Sequence, residues 1–206
     1  MPEVVRGFPG PGVQVVGPAV EARRLEAYLV EAVADAAAVG ARILVFDAGV
    51  SRVPPAGFAA PRAWDQLRRF LSACAKLARR HRLKVAIEPR ARPEADLIHS
   101  LEEAWLLAHE VGEEGIATAA NLSHLHRERE PYDALIVAET SLVHVHVEAR
   151  DAIGTGGDGP DYREAFGAQR AARYGGRVSV GPGPDVASAE AAKLLSSLRT
   201  VAGVGP

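Results

Sequence analysis

The stretch LKVAIEPRARPEADLIHSLEEAWLLAHEVGEEGIATAAN, residues 83–121, contains a strand, a helix and a second strand in succession. Its two ends, LKVAIEP and GIATAAN, are short apolar runs bounded by Gly, Pro or polar residues, which is typical of buried strands. Between them, apolar residues recur at helical spacing after Ser100, a good N-cap residue, with Glu103 three residues later. Such a unit predicts two parallel strands joined by a crossover helix.

The same alternation continues on both sides of this unit. Helical patterns cover residues 21–40, where Gly40 is a natural helix stop, and residues 63–83, which carry basic side chains in the last turn. We therefore predict an α/β fold, with parallel strands covered by outer helices, and a single domain over residues 1–206 with about six strand–helix units. The predicted strands are EVVRGF (3–8), ARILVFD (41–47), LKVAIEP (83–89), GIATAAN (115–121), LVHVHVE (142–148) and GRVSVG (176–181).

The composition excludes several classes of protein. A chain of 206 residues with 48% hydrophobic residues can bury a sizeable core, and its formal charge of −2 leaves no basic surplus for nucleic acid. No apolar run reaches the roughly 18 residues of a membrane span, and the N-terminus lacks the pattern of a signal peptide. The single Cys74 lies at a helical position typical of a buried residue. We expect a soluble cytoplasmic protein without membrane or nucleic-acid partners.

Polar residues collect where the predicted strands end. Glu88, Asn121 and His146 each lie at or near the end of a strand, and Asp47 ends another. In a β/α barrel the carboxyl ends of the strands form one rim, so these side chains are expected to converge. Carboxylate, amide and imidazole groups together suit a divalent cation such as Mn²⁺, Mg²⁺, Co²⁺ or Zn²⁺, and the lack of thiols argues against a structural zinc.

Two of these features also have a purely structural interpretation. His144 and His146 are two positions apart in LVHVHVE and therefore point to the same face of a strand. Buried histidines bonded to neighbouring backbone would show the same pattern. Asn121 is equally a common residue in a turn at a strand end. The residues alone leave both alternatives open.

The order of several motifs resembles the xylose-isomerase-like TIM barrels, which include sugar and sugar-phosphate isomerases and epimerases, hydroxypyruvate isomerase and endonuclease IV. The motifs are VFDAGVSRVPPAGF followed by AWDQL, VAIEPRARPEADLIHSLEEA, AANLSHL, LVHVHVE, and DYREAF leading into YGGRVSV. They extend from about Phe8 to Gly181, and their order and spacing are more specific than any one of them. The resemblance implies a TIM-barrel-like fold and a small-molecule sugar or sugar phosphate as the ligand.

The resemblance also implies roles for individual residues. Glu88 matches a glutamate that binds the metal and acts as a base, and His146 matches a histidine ligand. Asn121 stands where relatives usually carry an aspartate ligand, and His124 matches a histidine that contacts the substrate. We add His144 and Arg92 as further substrate-binding candidates. Endonuclease activity is disfavoured, because that relative uses a richer set of metal ligands.

The chain departs from the family pattern in four ways. Gly181 occupies the position of a second catalytic glutamate, and Ala91 replaces a common asparagine. Asn121 brings no charge, so metal binding is expected to be weak at most. The motifs also begin near the third strand of an eight-strand barrel, so the barrel is expected to be incomplete on its N-terminal side. Exposed strand edges then predict a homo-oligomer.

Two functions follow as expectations. The first is a metal-assisted isomerase or epimerase of carbohydrate metabolism, in which Glu88 removes a proton to form an enediolate. Epimerisation normally needs a second base, which Gly181 does not supply; Asp158 and Asp185 are loop residues that could replace it. The second is a degenerate relative that binds a sugar-like ligand or a protein partner without turnover. The sequence leaves the choice between them, and hence catalysis itself, open.

Overall fold

The structure is a computed structural model that describes residues 3–148, 162–181 and 188–203. Six parallel strands form one curled sheet in which each strand pairs with its neighbours in chain order. The predicted fold is confirmed as TIM-barrel-like and incomplete, and each predicted strand is present with slightly shorter or equal bounds. The strands are β1 (Val4–Phe8), β2 (Ile43–Phe46), β3 (Lys84–Ile87), β4 (Ile116–Asn121), β5 (Leu142–Glu148) and β6 (Val178–Gly181).

Helices follow the strands and cover the outer face of the sheet. The helix before β4 begins as the sequence predicts: the Ser100 hydroxyl accepts a hydrogen bond from the Glu103 N–H at 3.0 Å, and the Glu103 carboxylate accepts one from the His99 N–H at 2.6 Å. The helices are α1 (Ala22–Ala38), α2 (Ala60–Arg80), α3 (Leu101–Val111), α4 (Leu122–Glu128), α5 (Ala134–Val137), α6 (Tyr162–Ala171) and α7 (Ser188–Ala202).

The larger part of the core lies between the sheet and these helices. Phe8 and Phe46 from the strands contact Phe70 of α2, with ring centroids 5.8 Å apart in both pairs. Cys74 is buried on the same face of α2, where burial raises its pKa to about 12. This thiol is therefore a small core residue rather than a nucleophile, as its helical position predicts.

The inner face of the sheet has an apolar layer and a polar layer. Ile43, Val45, Ala86 and Ala119 form a small apolar cluster inside the curl. Because side chains alternate along a strand, Asp47, Glu88 and Asn121 point to the same side two residues further on. The polar layer therefore lies toward the carboxyl ends of the strands. Among the described residues, no helix is both long and apolar enough to cross a membrane.

Candidate functional site

The centre of the polar layer is the guanidinium of Arg6, which extends from β1 across the inside of the curled sheet. One terminal nitrogen donates a hydrogen bond to Glu88 Oε1 at 2.5 Å and lies 3.1 Å from Asp47 Oδ2. The other terminal nitrogen lies 2.5 Å from His146 Nε2. Arg6 thus connects the ends of β2, β3 and β5, and its side chain is 26% exposed.

Asp47 fixes the position of Arg6. Its Oδ1 accepts a hydrogen bond from the Gly7 N–H at 2.7 Å, and its Oδ2 faces the Arg6 guanidinium. The same carboxylate therefore holds both the backbone and the side chain of this part of β1. Asp47 is almost completely buried, so its pairing with a cation offsets the cost of removing its charge from water.

Glu88 is fully buried, and only one of its two carboxylate oxygens has hydrogen-bond partners among the described residues. Its Oε1 accepts from Arg6 and, at 3.4 Å, from the Asn121 amide, whereas Oε2 has no hydrogen-bond partner among the described residues. Burial raises the pKa of Glu88; the positive charge of Arg6 opposes this shift and the negative charge of Asp47 adds to it. A carboxylate oxygen without a partner in such a place is a strong acceptor for a ligand hydroxyl or a proton.

His144 and His146 both turn inward, and Ser179 of β6 joins them. The Ser179 hydroxyl lies 2.7 Å from His144 Nε2 and 2.9 Å from His146 Nδ1. A guanidinium can only donate, so His146 Nε2 accepts from Arg6 and His146 Nδ1 carries the proton that it donates to Ser179. The Ser179 hydroxyl is then free to donate to His144. The pair is thus part of a chain of hydrogen bonds from Arg6 to His144.

The environment keeps both imidazoles neutral. Burial, followed by the positive charge of Arg6, lowers the pKa of His146 to about 3 and that of His144 to about 4. The neutral form of His146 is the one that the hydrogen-bond chain requires, because a protonated ring has no lone pair for Arg6. Geometry and electrostatics therefore agree on its protonation state.

Asn121 directs its amide nitrogen, not its oxygen, toward the site. Its Oδ1 caps α4 by accepting from the N–H groups of Ser123 at 3.0 Å and His124 at 3.4 Å. These backbone donors fix the side-chain orientation, so Nδ2 faces Glu88 and, at 3.2 Å, Glu148 Oε1. Asn121 is therefore a helix cap whose amide nitrogen contacts Glu88.

His124 belongs to a second polar group at the rim. Its Nδ1 accepts from the Ala91 N–H at 3.2 Å, and its Nε2 lies 3.3 Å from Glu148 Oε1. Glu148 is also paired with Arg127 at 2.7 Å. Partial burial alone would raise the pKa of Glu148, but its contact with His124, the positive charge of Arg127 and the Asn121 amide together lower it. This carboxylate therefore stays ionised.

Arg92 lies apart from these groups. Its backbone N–H donates to Glu128 Oε1 at 2.7 Å, its guanidinium pairs with the same carboxylate, and its side chain is 69% exposed. The structure therefore brings Glu88, Asn121, His124, His144 and His146 together in the polar layer and its rim, and places Arg92 on the surface beside α4. Asp158 and Asp185 lie outside the described residues.

Gly181 faces the site from β6. A Cβ built on Gly181 would lie 2.6 Å from His146 Cε1 and 2.7 Å from His146 Nε2. Any side chain at this position would displace the His146 ring, so the glycine leaves room for the ring where it lies. The absence of a carboxylate at position 181 and the position of the His146 ring therefore depend on each other.

Reasoning from the sequence missed Arg6 and Ser179, the two residues that connect the site. Arg6 is a charged residue within the apolar run VVRGF, two positions after Val4, and Ser179 stands between two valines in VSV. Alternation of side chains in a strand would have placed Arg6 with Val4 on one face. The sequence thus indicated the face on which Arg6 lies, but only contacts between distant strands show which groups these residues meet.

These side chains do not fit a divalent cation as they are arranged. The Arg6 guanidinium lies between Glu88 and His146, and Asn121 presents hydrogen-bond donors instead of a lone pair. Within the described ranges, no three His, Cys, Asp or Glu side chains are grouped so that they could hold a metal ion. The mechanism proposed below therefore uses only groups of the protein.

Comparison with solved structures gives the same fold. The chain superposes on D-psicose 3-epimerase in the presence of D-fructose with a TM-score of 0.78 at 15% identity, covering 93% of this chain and 75% of that one. For L-ribulose 3-epimerase the values are 0.71, 18%, 90% and 65%. For 3-keto-D-glucoside 4-epimerase from E. coli, apo form, they are 0.69, 23%, 91% and 76%. Comparison with curated proteins gives no significant match.

The curled parallel sheet and the polar groups at its carboxyl edge define a protein of the TIM-barrel class. Residues 8–199 match the xylose isomerase-like TIM barrel family, and the chain belongs to this family. The solved structures share the fold at identities that do not by themselves transfer an activity.

Proposed function

We propose that the polar layer binds a small sugar and transfers a proton on the carbon next to its carbonyl group, as an isomerase or epimerase does. The observation that carries this proposal is Glu88 Oε2, a fully buried carboxylate oxygen without a partner among the described residues, beside the Arg6 guanidinium. A base and a cation side by side are what the formation of an enediolate needs. The sugar epimerases among the solved structures support the ligand class.

In the proposed step, Glu88 Oε2 takes the proton from a carbon that bears a hydroxyl and adjoins the carbonyl. The electron pair of that C–H bond forms a carbon–carbon double bond, and the carbonyl oxygen becomes an enediolate oxygen. The guanidinium of Arg6 stabilises the negative charge on this oxygen. The protonated Glu88 then returns the proton to the neighbouring carbon, while the hydroxyl proton passes to the other oxygen, so that an aldose and a ketose interconvert.

One-base isomerisation suits this site better than epimerisation. Inversion at carbon requires a proton from the opposite face, and Gly181 on β6 has no side chain to supply it. Glu88 can remove and return the proton on the same face. A second base supplied by Asp158 or Asp185 would be the alternative.

The test is proton exchange in D₂O with a panel of small aldoses and ketoses, followed by NMR. Glu88→Gln should reduce exchange at the carbon next to the carbonyl by at least about a hundredfold, because an amide cannot accept that proton. His144→Ala should have a much smaller effect, since His144 is separated from Glu88 by His146 and Ser179. Equal losses in both variants would contradict the assignment of Glu88 as the base.

Binding without turnover is the second candidate function. It is favoured by Gly181, and by Arg6, which already occupies the other oxygen of Glu88. A sugar that perturbs the NMR signals of the wild-type protein without exchanging any proton would support this function and exclude the first.

We propose further that the protein assembles with copies of itself. The outer edges of β1 and β6 pair with no other strand in the described part of the chain. Unpaired edges of parallel strands are seldom left in water, and a second copy would cover them.

A further inference from the structure

We propose that the guanidinium of Arg6 takes the place of a divalent cation in this chain. The positive charge in the site then comes from a side chain of the protein, and this charge excludes a metal ion. This inference does not depend on the proposed reaction, because it concerns which cation the polar layer holds. It disagrees with the metal-ligand roles that the family resemblance assigns to Glu88 and His146.

Arg6 already contacts the groups that would bind a metal ion. Its terminal nitrogens meet the two groups that would otherwise ligate a metal, at 2.5 Å from Glu88 Oε1 and 2.5 Å from His146 Nε2. Both acceptor lone pairs are thus already directed at a positive charge. A dication in the same space would face the guanidinium within a few ångströms, where like charges repel strongly.

Arg6 also balances the charge of buried carboxylates. Asp47 and Glu88 are both buried, and Arg6 lies within 3.1 Å of each of them. The single positive charge of the guanidinium therefore offsets one of the two negative charges. The three ionised groups together carry a net charge of −1. Without Arg6, two buried carboxylates and a neutral imidazole would remain, which are donor types that bind divalent cations; they would have to move together to share one, since the described side chains are not grouped closely enough for that as they lie here.

The remaining positions fit a site built around a guanidinium. The Asn121 amide points its hydrogens at Glu88, which helps to stabilise a carboxylate but gives no metal ligand. Gly181 leaves room for the His146 ring to meet Arg6, since a Cβ at this position would lie 2.6 Å from that ring. The two departures from the family pattern and the presence of Arg6 therefore have one common explanation.

The experiment measures metal binding directly. Wild-type protein and the neutral variants Arg6→Gln and Arg6→Met are treated with a chelator, and Co²⁺ and Mn²⁺ are titrated by calorimetry, with the visible spectrum of Co²⁺ as a second readout. Each neutral variant should bind one cation at least about tenfold more tightly than the wild type, because the repelling charge is gone. Arg6→Gln retains hydrogen-bond donors, so it provides a folded sample if Arg6→Met does not.

Three controls make the result specific. Arg6→Lys keeps the charge and should bind metal no better than the wild type. Arg68→Met removes an arginine that pairs with Asp65 on the surface of α2 and should change nothing. The double variant Arg6→Gln/His146→Ala should lose the gained affinity and the Co²⁺ spectrum.

Two outcomes would overturn the proposal. In the first, the wild-type protein binds one metal ion as tightly as the neutral variants do. In the second, folded Arg6→Gln gains no affinity. Both outcomes concern metal binding alone, so they are distinct from a failure to detect proton exchange.

Discussion

At the scale of single residues, the polar layer depends on side chains from all six strands and their ends that satisfy one another. Ser179 accepts from His146 and donates to His144, and it is the only hydroxyl that the described residues place on both rings. Buried imidazole nitrogens are costly without a partner, because water is not available to replace the lost hydrogen bond. The hydroxyl therefore has a stabilising role that its small size conceals.

We predict that Ser179→Ala lowers the free energy of unfolding by about 1–3 kcal/mol, since it leaves two buried nitrogens without a partner. Denaturant unfolding followed by circular dichroism measures this change. The matched control is Ser72→Ala, which removes a hydroxyl that bonds Glu113 near the surface and should cost no more than about 0.5 kcal/mol. Similar losses in both variants would show that the hydrogen-bond chain adds no stability.

At the scale of elements, two short 3₁₀ turns hold the rim of the sheet. The first, Gly49–Arg52, follows β2, and the second, Arg92–Glu94, follows β3. They pack so closely that a Cβ on Gly49 would lie 2.2 Å from the Glu94 carbonyl oxygen. Glycine is required here by this close approach between two backbones, not by its own dihedral angles.

We predict that Gly49→Ala destabilises the protein by about 1–3 kcal/mol, because the two turns must separate to admit the methyl group. Gly175→Ala is the control, since nothing lies within 4 Å of a Cβ at that position. Thermal unfolding of the two variants and the wild type measures the difference. An unchanged midpoint for Gly49→Ala would mean that these turns are not in tight contact in solution.

At the scale of the whole molecule, the curled sheet leaves the edges of β1 and β6 facing each other. An ion pair crosses between them on one side, with Arg177 Nε 2.9 Å from Glu3 Oε2, but the Arg177 side chain is 79% exposed. Exposed ion pairs contribute roughly 0–1 kcal/mol, too little to hold the two edges of a sheet together.

A cavity of about 730 Å³ also opens at the amino ends of the strands, lined in part by Ile43, Lys84 and Arg173.

We predict that the protein self-associates through these edges, because pairing would satisfy their free backbone groups and cover the apolar interior. Sedimentation velocity over a concentration series should show a dimer or larger species. Amide hydrogen exchange should slow in β1 and β6 with rising concentration, while α3 on the outer surface serves as the internal control. A monomer at micromolar concentration with sharp cooperative unfolding and no binding of hydrophobic dye would contradict this prediction.

The sequence by itself determined the strands, their parallel arrangement and the helices α1, α2 and α3, because these depend on local periodicity, caps and glycine stops. The helix that begins after Ser100 is an example, since its cap lies within four residues of sequence. The order of polar residues at strand ends also indicated that Glu88, Asn121 and His146 would meet.

Only the tertiary structure decided what these residues do to one another. Arg6 meets His146 across 140 positions of sequence, and no local pattern specifies such a contact. The orientation of the Asn121 amide depends on the first turn of α4, and the need for Gly181 depends on a ring from the neighbouring strand. Local patterns determine which face a side chain takes, whereas the charge at the centre of a sheet depends on how far the sheet curls and on which side chain is long enough to cross it.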